Sequence, residues 1–575
     1  MANQHQGLTN DTTIPPLNRP DGTVAVSGKD KAELLAYHFA KKMQVPDPNL
    51  KPPKLPMYTS AHLNNCKTSR KEVEKLLKEI DVNKALGPDE ISPHILKNCA
   101  TVLAEPLARL YNACIDQKVW PRIWKQAQVV ATHKRKSRTS IENYRPISLL
   151  SILGKIYEKI LVNNIIIFLD KHQLLNNRQF GFRKNRSTSD LLLKKASEWN
   201  KLLDSGKTTF VIALDIAGAF DRVWHAGLIS KLKSLGINGN LLHLIENYLD
   251  ERSMQVVVDG FISTEYKIEA SVPQGSVLVP LLWNIYFNDL LNLVDEAYAY
   301  ADDCTLDFSC DKDDVHIVQK INDILQKIQT WGERWQVSFA PEKSQLMVIS
   351  RCTWSLNLPP IKLGGNKIEI KDSINILGVE FDKPLTYTSH IRELCSRVAK
   401  KFACLRRMAR YLDAKGCEIL YNAQIRSVME YSHLVWSSTP PSYLKLLDKI
   451  QERVQKLVNS KLGNNDSPIH FQSLQHRRNV SGLCVYYKIQ VQAAPHLLDL
   501  KLPPARLSYD TRNSRKLKYK VQIPFCRTET HLRSFVPKYA RIWNNIISDF
   551  PNDKLRSMEL FKKEINEYLY SFNTP

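Results

Sequence analysis

Thr209-Phe210-Val211-Ile212-Ala213-Leu214 is an unbroken run of apolar and β-branched residues that ends at an acid, Asp215. A run of this kind without polar alternation reads as a strand covered on both faces. Such a strand needs a partner strand on each side and packing above and below. Asp215 falls where the sheet edge opens toward a cleft, and Ile216-Ala217-Gly218-Ala219-Phe220 then turns the chain into a helical segment carrying Asp221 and His225.

A second acidic strand end lies downstream. In Glu296-Ala297-Tyr298-Ala299-Tyr300-Ala301-Asp302-Asp303-Cys304-Thr305-Leu306-Asp307-Phe308, two β-prone runs flank a paired carboxylate, the pattern of a hairpin with Asp302 and Asp303 at its tip. The plain alternative is a tight turn, which Asp favours for local reasons. Two adjacent anions repel unless a cation joins them. Taken with Asp215, the pair makes three carboxylates on two strand ends. That set suits two Mg²⁺ ions about 3.5–4 Å apart, each using carboxylates together with substrate phosphates. The chemistry would be in-line attack of a 3′-hydroxyl on a nucleoside triphosphate.

Composition agrees with a polyanionic partner. Lys and Arg number 81 against 58 Asp and Glu, a formal charge of +23, and each phosphate neutralised by such a surface releases condensed counterions. An inert basic surface is the other reading. The eleven cysteines are scattered and none forms Cys-x-x-Cys, so neither a zinc ribbon nor a disulfide framework is indicated and the thiols read as reduced. No run approaches the length of a membrane span and no secretory h-region opens the chain. An intracellular protein, nuclear and cytoplasmic, with no membrane partner is expected.

Residues 1 to about 60 are polar and proline-bearing, with one helical island from Lys31 to Ala40, and read as a linker with a short docking helix. From Ser69, a cap for the helix that follows, the text becomes regular. Val129-Val130-Ala131-Thr132 reads as a short strand leading into His133-Lys134-Arg135-Lys136, which is a solvated loop or a cationic finger laid on a triphosphate. Tyr144-Arg145-Pro146-Ile147-Ser148 precedes an apolar helix through Ile156 and Ile160. Gln179-Phe180-Gly181-Phe182-Arg183 opens a cationic loop in which Thr188 is placed to cap the next helix. Val272-Pro273-Gln274-Gly275-Ser276 is a turn exposing an amide and a flexible backbone, ahead of an apolar helix from Leu281 to Leu291. Val315 to Trp335 carries an apolar stripe that is core packing. Lys343 sits in a turn before the strand Gln345–Ile349. Ile391 to Leu412 is a basic helix bearing Arg392, Arg397, Lys400, Lys401, Arg406, Arg407 and Arg410, suited to gripping a duplex or merely solvated. Arg506, Arg512, Arg515, Lys516, Lys518 and Lys520, interleaved with Tyr509 and Tyr519, read as an RNA-binding stretch.

In this order the blocks resemble the reverse transcriptase of non-LTR (LINE-type) retrotransposons, most closely the Jockey-like branch. Tyr300-Ala301-Asp302-Asp303 is similar to the polymerase signature box, and Leu214-Asp215-Ile216 with Ala219-Phe220-Asp221 to the first metal-binding motif. Val272–Ser276 and Trp283-Asn284-Ile285-Tyr286 resemble the template-handling motif, and the Arg145 and Gly181 blocks the two finger motifs. The resemblance implies an α/β right-hand polymerase with fingers, a palm built on an antiparallel sheet and a helical thumb, plus a mainly α C-terminal region. It implies a linker and N-terminal extension over 1–68, fingers and palm over 69–385, thumb over 386–465 and a basic nucleic-acid-binding region over 466–575.

The same resemblance implies roles for single residues. Asp215, Asp302, Asp303 and the Ile216 carbonyl would hold two Mg²⁺ ions, with Mn²⁺ an acceptable substitute. Arg145, with Lys134 or Lys136, would contact the incoming dNTP triphosphate. Phe220 would gate the sugar, Gln274 would lie along nucleotide and template, Tyr300 would support the primer end, and Lys343 would be the general acid for pyrophosphate. RNA template, DNA primer and DNA target are the implied partners. The endonuclease common ahead of such polymerases has no counterpart constellation here, so one acting in trans is expected. The chain departs from the resembled text at Leu86, Asn185, Ser271 and Val279. A degenerate or co-opted nucleic-acid-binding remnant, and a telomerase- or maturase-like enzyme, are the rival readings.

Overall fold

The computed structural model describes residues 13–134, 136–311, 314, 316–351, 359–463, 466–505, 519–547 and 557–573. Arg135, Val315, Arg506, Tyr509, Arg512, Arg515, Lys516 and Lys518 lie outside the described residues. The chain divides into two compact units, one drawn from Met1–Phe182, Asp215–Asp295 and Gln326–Ala340, the other from Arg183–Leu214, Glu296–Leu325 and Pro341–Pro575. Each is mixed α/β, and a helical region follows the sheet of the second unit.

The sheet of the first unit runs in the order Tyr144–Leu149, Gln126–His133, Arg252–Val258, Phe261–Ile262, with Tyr266–Ile268 also on Arg252–Val258. The strand expected at Val129–Thr132 is thus twice as long, because it is antiparallel to one neighbour and parallel to the other. Pro146 is tolerated because its strand is an edge, where a missing N–H breaks no ladder. The helix Gly28–Lys42 starts at Ser27, whose hydroxyl accepts from the Asp30 N–H, and its buried stripe is Ala32, Leu35, Ala36 and Phe39. Those residues share a core with Ile14, Leu17 and Ala25 and with Val129, Met254 and Val256 of the sheet. Further on, the Tyr58 and Leu63 N–H groups donate to the carbonyls of Ser234 and Gly236 at 2.9 and 2.8 Å. The stretch read as a linker therefore belongs to the first unit's fold over its described part. Its apolar residues are few, but a partner sheet covers them.

The helix Val279–Leu293 is buried along nearly its whole length. Beside it Lys231, 2% exposed, donates to the Tyr286 carbonyl at 2.6 Å and to the Asp289 carboxylate at 2.7 Å. The Trp335 ring lies 3.8 Å from the ammonium and the Tyr286 and Trp331 rings within 4.8 Å. Burial pushes the Lys231 amine down to about 8, against the opposing pull of Asp289.

The sheet of the second unit has the order Ile370–Lys371, Gln345–Ile349, Thr208–Leu214, Asp303–Cys310, Ala297–Tyr300. Thr208–Leu214 is its central strand, and all but one of its residues are buried, as the unbroken apolar run requires. The helix Thr188–Asp204 lays Leu192, Leu193, Ala196 and Trp199 into the same core as Val211 and Met347. Ser187, not Thr188, caps it. The Ser187 hydroxyl accepts from the Asp190 N–H and the Asp190 carboxylate accepts from the Ser187 N–H, a reciprocal box that Thr188, already in the first turn, cannot make. Below the sheet Asp307 is held by Lys195 at 2.7 Å and by the Trp199 indole N–H at 3.3 Å.

After the hairpin Ser373–Ile376 and Val379–Asp382, the helices Thr388–Met408, Pro441–Asn459, Leu474–Gln490, Phe535–Ile547 and Met558–Asn573 enclose a shared apolar core. On Thr388–Met408 the residues Ile391, Leu394, Val398 and Leu405 are buried, whereas Arg392, Arg397, Lys400, Arg406 and Arg407 are exposed. No helix of the described residues is long and apolar enough to cross a membrane.

Candidate functional site

The first unit gathers several of the separated motifs. Phe220 heads the 3-10 turn Phe220–Arg222, its ring 5.3 Å from Trp283 and 6.3 Å from Phe182, and its carbonyl accepts from the Val272 N–H at 3.0 Å. Gln274 donates through its side chain to Asp221 at 2.6 Å, while its carbonyl accepts from the Ser148 N–H at 2.7 Å. Gly275 has φ +131°, and a Cβ there would stand 2.4 Å from the Ser148 carbonyl oxygen. Only glycine lets the Pro273-Gln274-Gly275 turn lie this close to the strand that carries Arg145. Glu158, fully buried, accepts from the Val277 N–H at 2.6 Å and so anchors the far side of the turn.

Charge is concentrated on the same group. Burial raises the Asp221 carboxyl from its ordinary value, while the Gln274 hydrogen bond and the Lys42, Lys134 and Arg222 charges oppose that rise. Burial lowers the Lys42 amine, and Lys134 adds to the effect. Lys134 directly follows the strand Gln126–His133, and its N–H donates to the Asn143 carbonyl at 2.7 Å. Arg145 is exposed on the neighbouring strand, opposite Thr132. Lys42 and Asp221 were not picked out from the sequence as site residues. Asp221 carries a signal, since it closes the Ala-Phe-Asp text, but Lys42 closes a helix in what reads as a linker and has none.

Ser271 stands where the resembled family commonly has glycine, and its φ is +102°. Asn185, at another such place, has φ +61°, which Asn tolerates far better than Ser tolerates +102°. Ser271 is 2% exposed and its hydroxyl has no hydrogen-bond partner. The strained backbone costs about 1–3 kcal/mol, partly offset in a glycine variant by about 0.5–1 kcal/mol of extra chain entropy. Ser271→Gly is therefore expected to stabilise the first unit by about 1 kcal/mol, read as a rise in melting temperature. A fall would mean that the serine side chain makes a contact that outweighs the strain.

The second unit holds the acidic hairpin. Ala297–Tyr300 and Asp303–Cys310 pair with Asp303 opposite Tyr300, so the turn is Ala301-Asp302 and Asp303 is already the first residue of its strand. Ala301, 7% exposed, takes the left-handed φ of +59° that a two-residue hairpin requires at its first position. Asp303 is exposed and Asp302 half-buried. The next strand pairs Leu214 with Cys304, and the one beyond pairs Gln345 with Ala213. Asp303, the end of the central strand and Lys343, two residues before Gln345, therefore belong to one end of this sheet. Asp215 follows Leu214 directly. In the first unit its carbonyl accepts from the Ala340 N–H at 2.9 Å, and Ile216 bridges to Phe339.

Among the described residues no three His, Cys, Asp or Glu are grouped so as to hold a metal ion. The donors on offer are hard oxygens, which suit Mg²⁺ once substrate phosphates complete the shell.

Residues 132–381 match the family described as reverse transcriptase (RNA-dependent DNA polymerase). The chain therefore carries a reverse-transcriptase domain, in the class of nucleotidyltransferases. Its relatives narrow the class. The RNA-directed DNA polymerase from mobile element jockey of Drosophila melanogaster is 29% identical over 67% of this chain and 43% of its own length. The probable RNA-directed DNA polymerase from transposon BS of the same organism is 27% identical over 77% and 51%. The retrovirus-related Pol polyprotein from type-1 retrotransposable element R1 of Bradysia coprophila is 28% identical over 67% and 38%. The domain is of the non-LTR, LINE-like kind, with Jockey-like relatives. The chain spans about half or less of the length of these relatives.

Proposed function

We propose that this chain synthesises DNA on an RNA template, extending a DNA primer by nucleotidyl transfer with two divalent ions, Mg²⁺ by preference. The observation that carries the reading is the register Leu214 opposite Cys304. It leaves Asp215 and Asp303 as the next residues along two neighbouring antiparallel strands. Asp215, Asp302 and Asp303, with the Ile216 carbonyl, would hold the ions, which when bound supply charge neutralisation for the attacking and leaving oxygens. In this reading the sheet carrying Asp303 is the palm, the sheet carrying Arg145 belongs to the fingers, and the basic helix Thr388–Met408 opens a thumb that grips duplex phosphates without sequence choice. Arg145 and Lys134 bind the triphosphate. Gln274, fixed by Asp221 and Ser148, presents the turn to the nucleotide and template. Tyr300 supports the primer end, and Lys343 protonates departing pyrophosphate.

Phe220 sets sugar choice in this scheme because it is wedged against Trp283 and Phe182 and cannot retreat from a 2′-hydroxyl. Primer extension on poly(rA)/oligo(dT) tests the proposal. The wild type is expected to elongate with dNTPs and reject rNTPs. Phe220→Ala is expected to raise ribonucleotide use by about tenfold to a hundredfold, the ~1.4–3 kcal/mol of one lost steric contact. Unchanged sugar selection would take the gate away from this residue, and no elongation by the wild type would favour a nucleic-acid-binding remnant.

A further inference from the structure

Within the second unit, far along the chain from the reverse-transcriptase text, lies a cavity of about 530 Å³. This is the size range of small-ligand sites. It is framed by the helices Pro441–Asn459, Glu529–Arg533 and Phe535–Ile547 and by the segment that carries Ser437 and Thr439. Its charged lining is one-sided. Lys445, Arg533, Lys538 and Arg541 stand around a single carboxylate, Asp448, which is already engaged from behind by Arg478 at 3.7 Å. Leu444, Leu532 and Ile542 form an apolar wall.

The cations are not consumed by the protein. Arg533 donates to the Ser438 carbonyl at 3.3 Å and pairs with the exposed Glu529 at 3.2 Å, and Arg541 donates to the Pro537 carbonyl at 3.1 Å and to the Leu532 carbonyl; a guanidinium has five N–H donors, so each keeps some for a ligand. Neither Lys445 nor Lys538 forms a salt bridge among the described residues. The hydroxyls of Ser437 and Thr439, both buried, lack a hydrogen-bond partner. Burial, with Arg478 alongside, pushes the Lys538 amine down to about 8.

We propose that this cavity binds a nucleoside phosphate, with the phosphate among Lys445, Arg533, Lys538 and Arg541 and the nucleoside against the apolar wall. The ligand is either a free nucleotide or one unit of a single nucleic-acid strand. The site is separate from the polymerase reading and stands or falls without it.

Lysine acylation of the full chain, followed residue by residue by mass spectrometry, tests the proposal with adenosine, adenosine 5′-monophosphate and a short oligo(U) as probes. Adenosine 5′-monophosphate or oligo(U) is expected to slow acylation of Lys445 and Lys538, and adenosine is not. Protection by the monophosphate alone assigns the site to free or terminal phosphates, and protection by oligo(U) alone assigns it to a strand. Lys538→Met, which keeps the length of the stem, is expected to weaken the protecting ligand about tenfold at Lys445, the loss of one charge-assisted hydrogen bond. No protection by any probe, or equal protection by adenosine, overturns the proposal. Protection confined to Lys134 or Lys343 would do the same while leaving the polymerase reading intact.

Discussion

Asp303→Asn is expected to reduce primer extension by about a thousandfold or more, with binding of the primer–template almost unchanged. The substitution keeps size and shape at an exposed first strand position whose backbone pairs with Tyr300, so the hairpin survives. What it removes is a formal charge from the small set of carboxylates proposed to hold the ions. Losing one anionic oxygen ligand from a metal-assisted displacement forfeits several kcal/mol of transition-state charge stabilisation, and about 4 kcal/mol corresponds to about three decades in rate. Asp307→Asn is the contrasting control. That carboxylate lies four residues along the same strand but is buried against Lys195 and Trp199, so its loss should lower stability while a folded fraction still extends primer. Equal extension by wild type and Asp303→Asn would remove the enzyme reading and leave a nucleic-acid-binding protein.

The largest effect on stability is expected at Asp289→Ala, which leaves the Lys231 ammonium buried with no carboxylate. Removing one member of such a pair costs about 3–5 kcal/mol, measurable as a shift of the first unfolding transition in urea. The sign of the pH dependence follows from the lysine. Its folded amine sits at about 8, below its ordinary 10.5, so between those values the unfolded chain holds more protons than the folded one, and stability rises as pH rises through that window. In the variant the lone ammonium is easier still to deprotonate, so the deficit relative to wild type should shrink from pH 7 to pH 9. The double variant Lys231→Met/Asp289→Ala should recover most of the loss, since an apolar side chain suits the ring of Tyr286, Trp331 and Trp335. A loss under about 1 kcal/mol in the single variant would contradict the burial of this pair.

How far the text alone reaches can be judged from particular residues. The run Thr209–Leu214 declares itself because a strand buried on both faces admits no polar residue, and it proves to be the centre of its sheet. The acidic hairpin is legible because a two-residue turn leaves short-range marks, although the turn proves to be Ala301-Asp302 with Asp303 already in the strand. The Pro273-Gln274-Gly275 turn is legible as a turn, but its contact with Ser148, 126 residues back along the chain (274 − 148), is not. The cap at Ser187 was missed by one residue, since Ser and Thr in succession are equally good candidates until the reciprocal bond to Asp190 chooses between them. Lys42 beside Asp221, and the cations around the cavity at Asp448, left no local trace at all.

Sequence by itself determined the central strand Thr209–Leu214, the acidic hairpin, the helix start at Ser69 and the likeness to LINE-like reverse transcriptases, because each of these is written in neighbouring residues or in motifs whose order survives divergence. Tertiary structure alone decided that the opening stretch is part of a core, that Phe220, Asp221, Gln274 and Ser148 meet, and that four cations surround one carboxylate at Asp448. These are long-range contacts. Which distant surfaces cover one another depends on packing summed over a whole unit, and no short stretch of residues contains that sum.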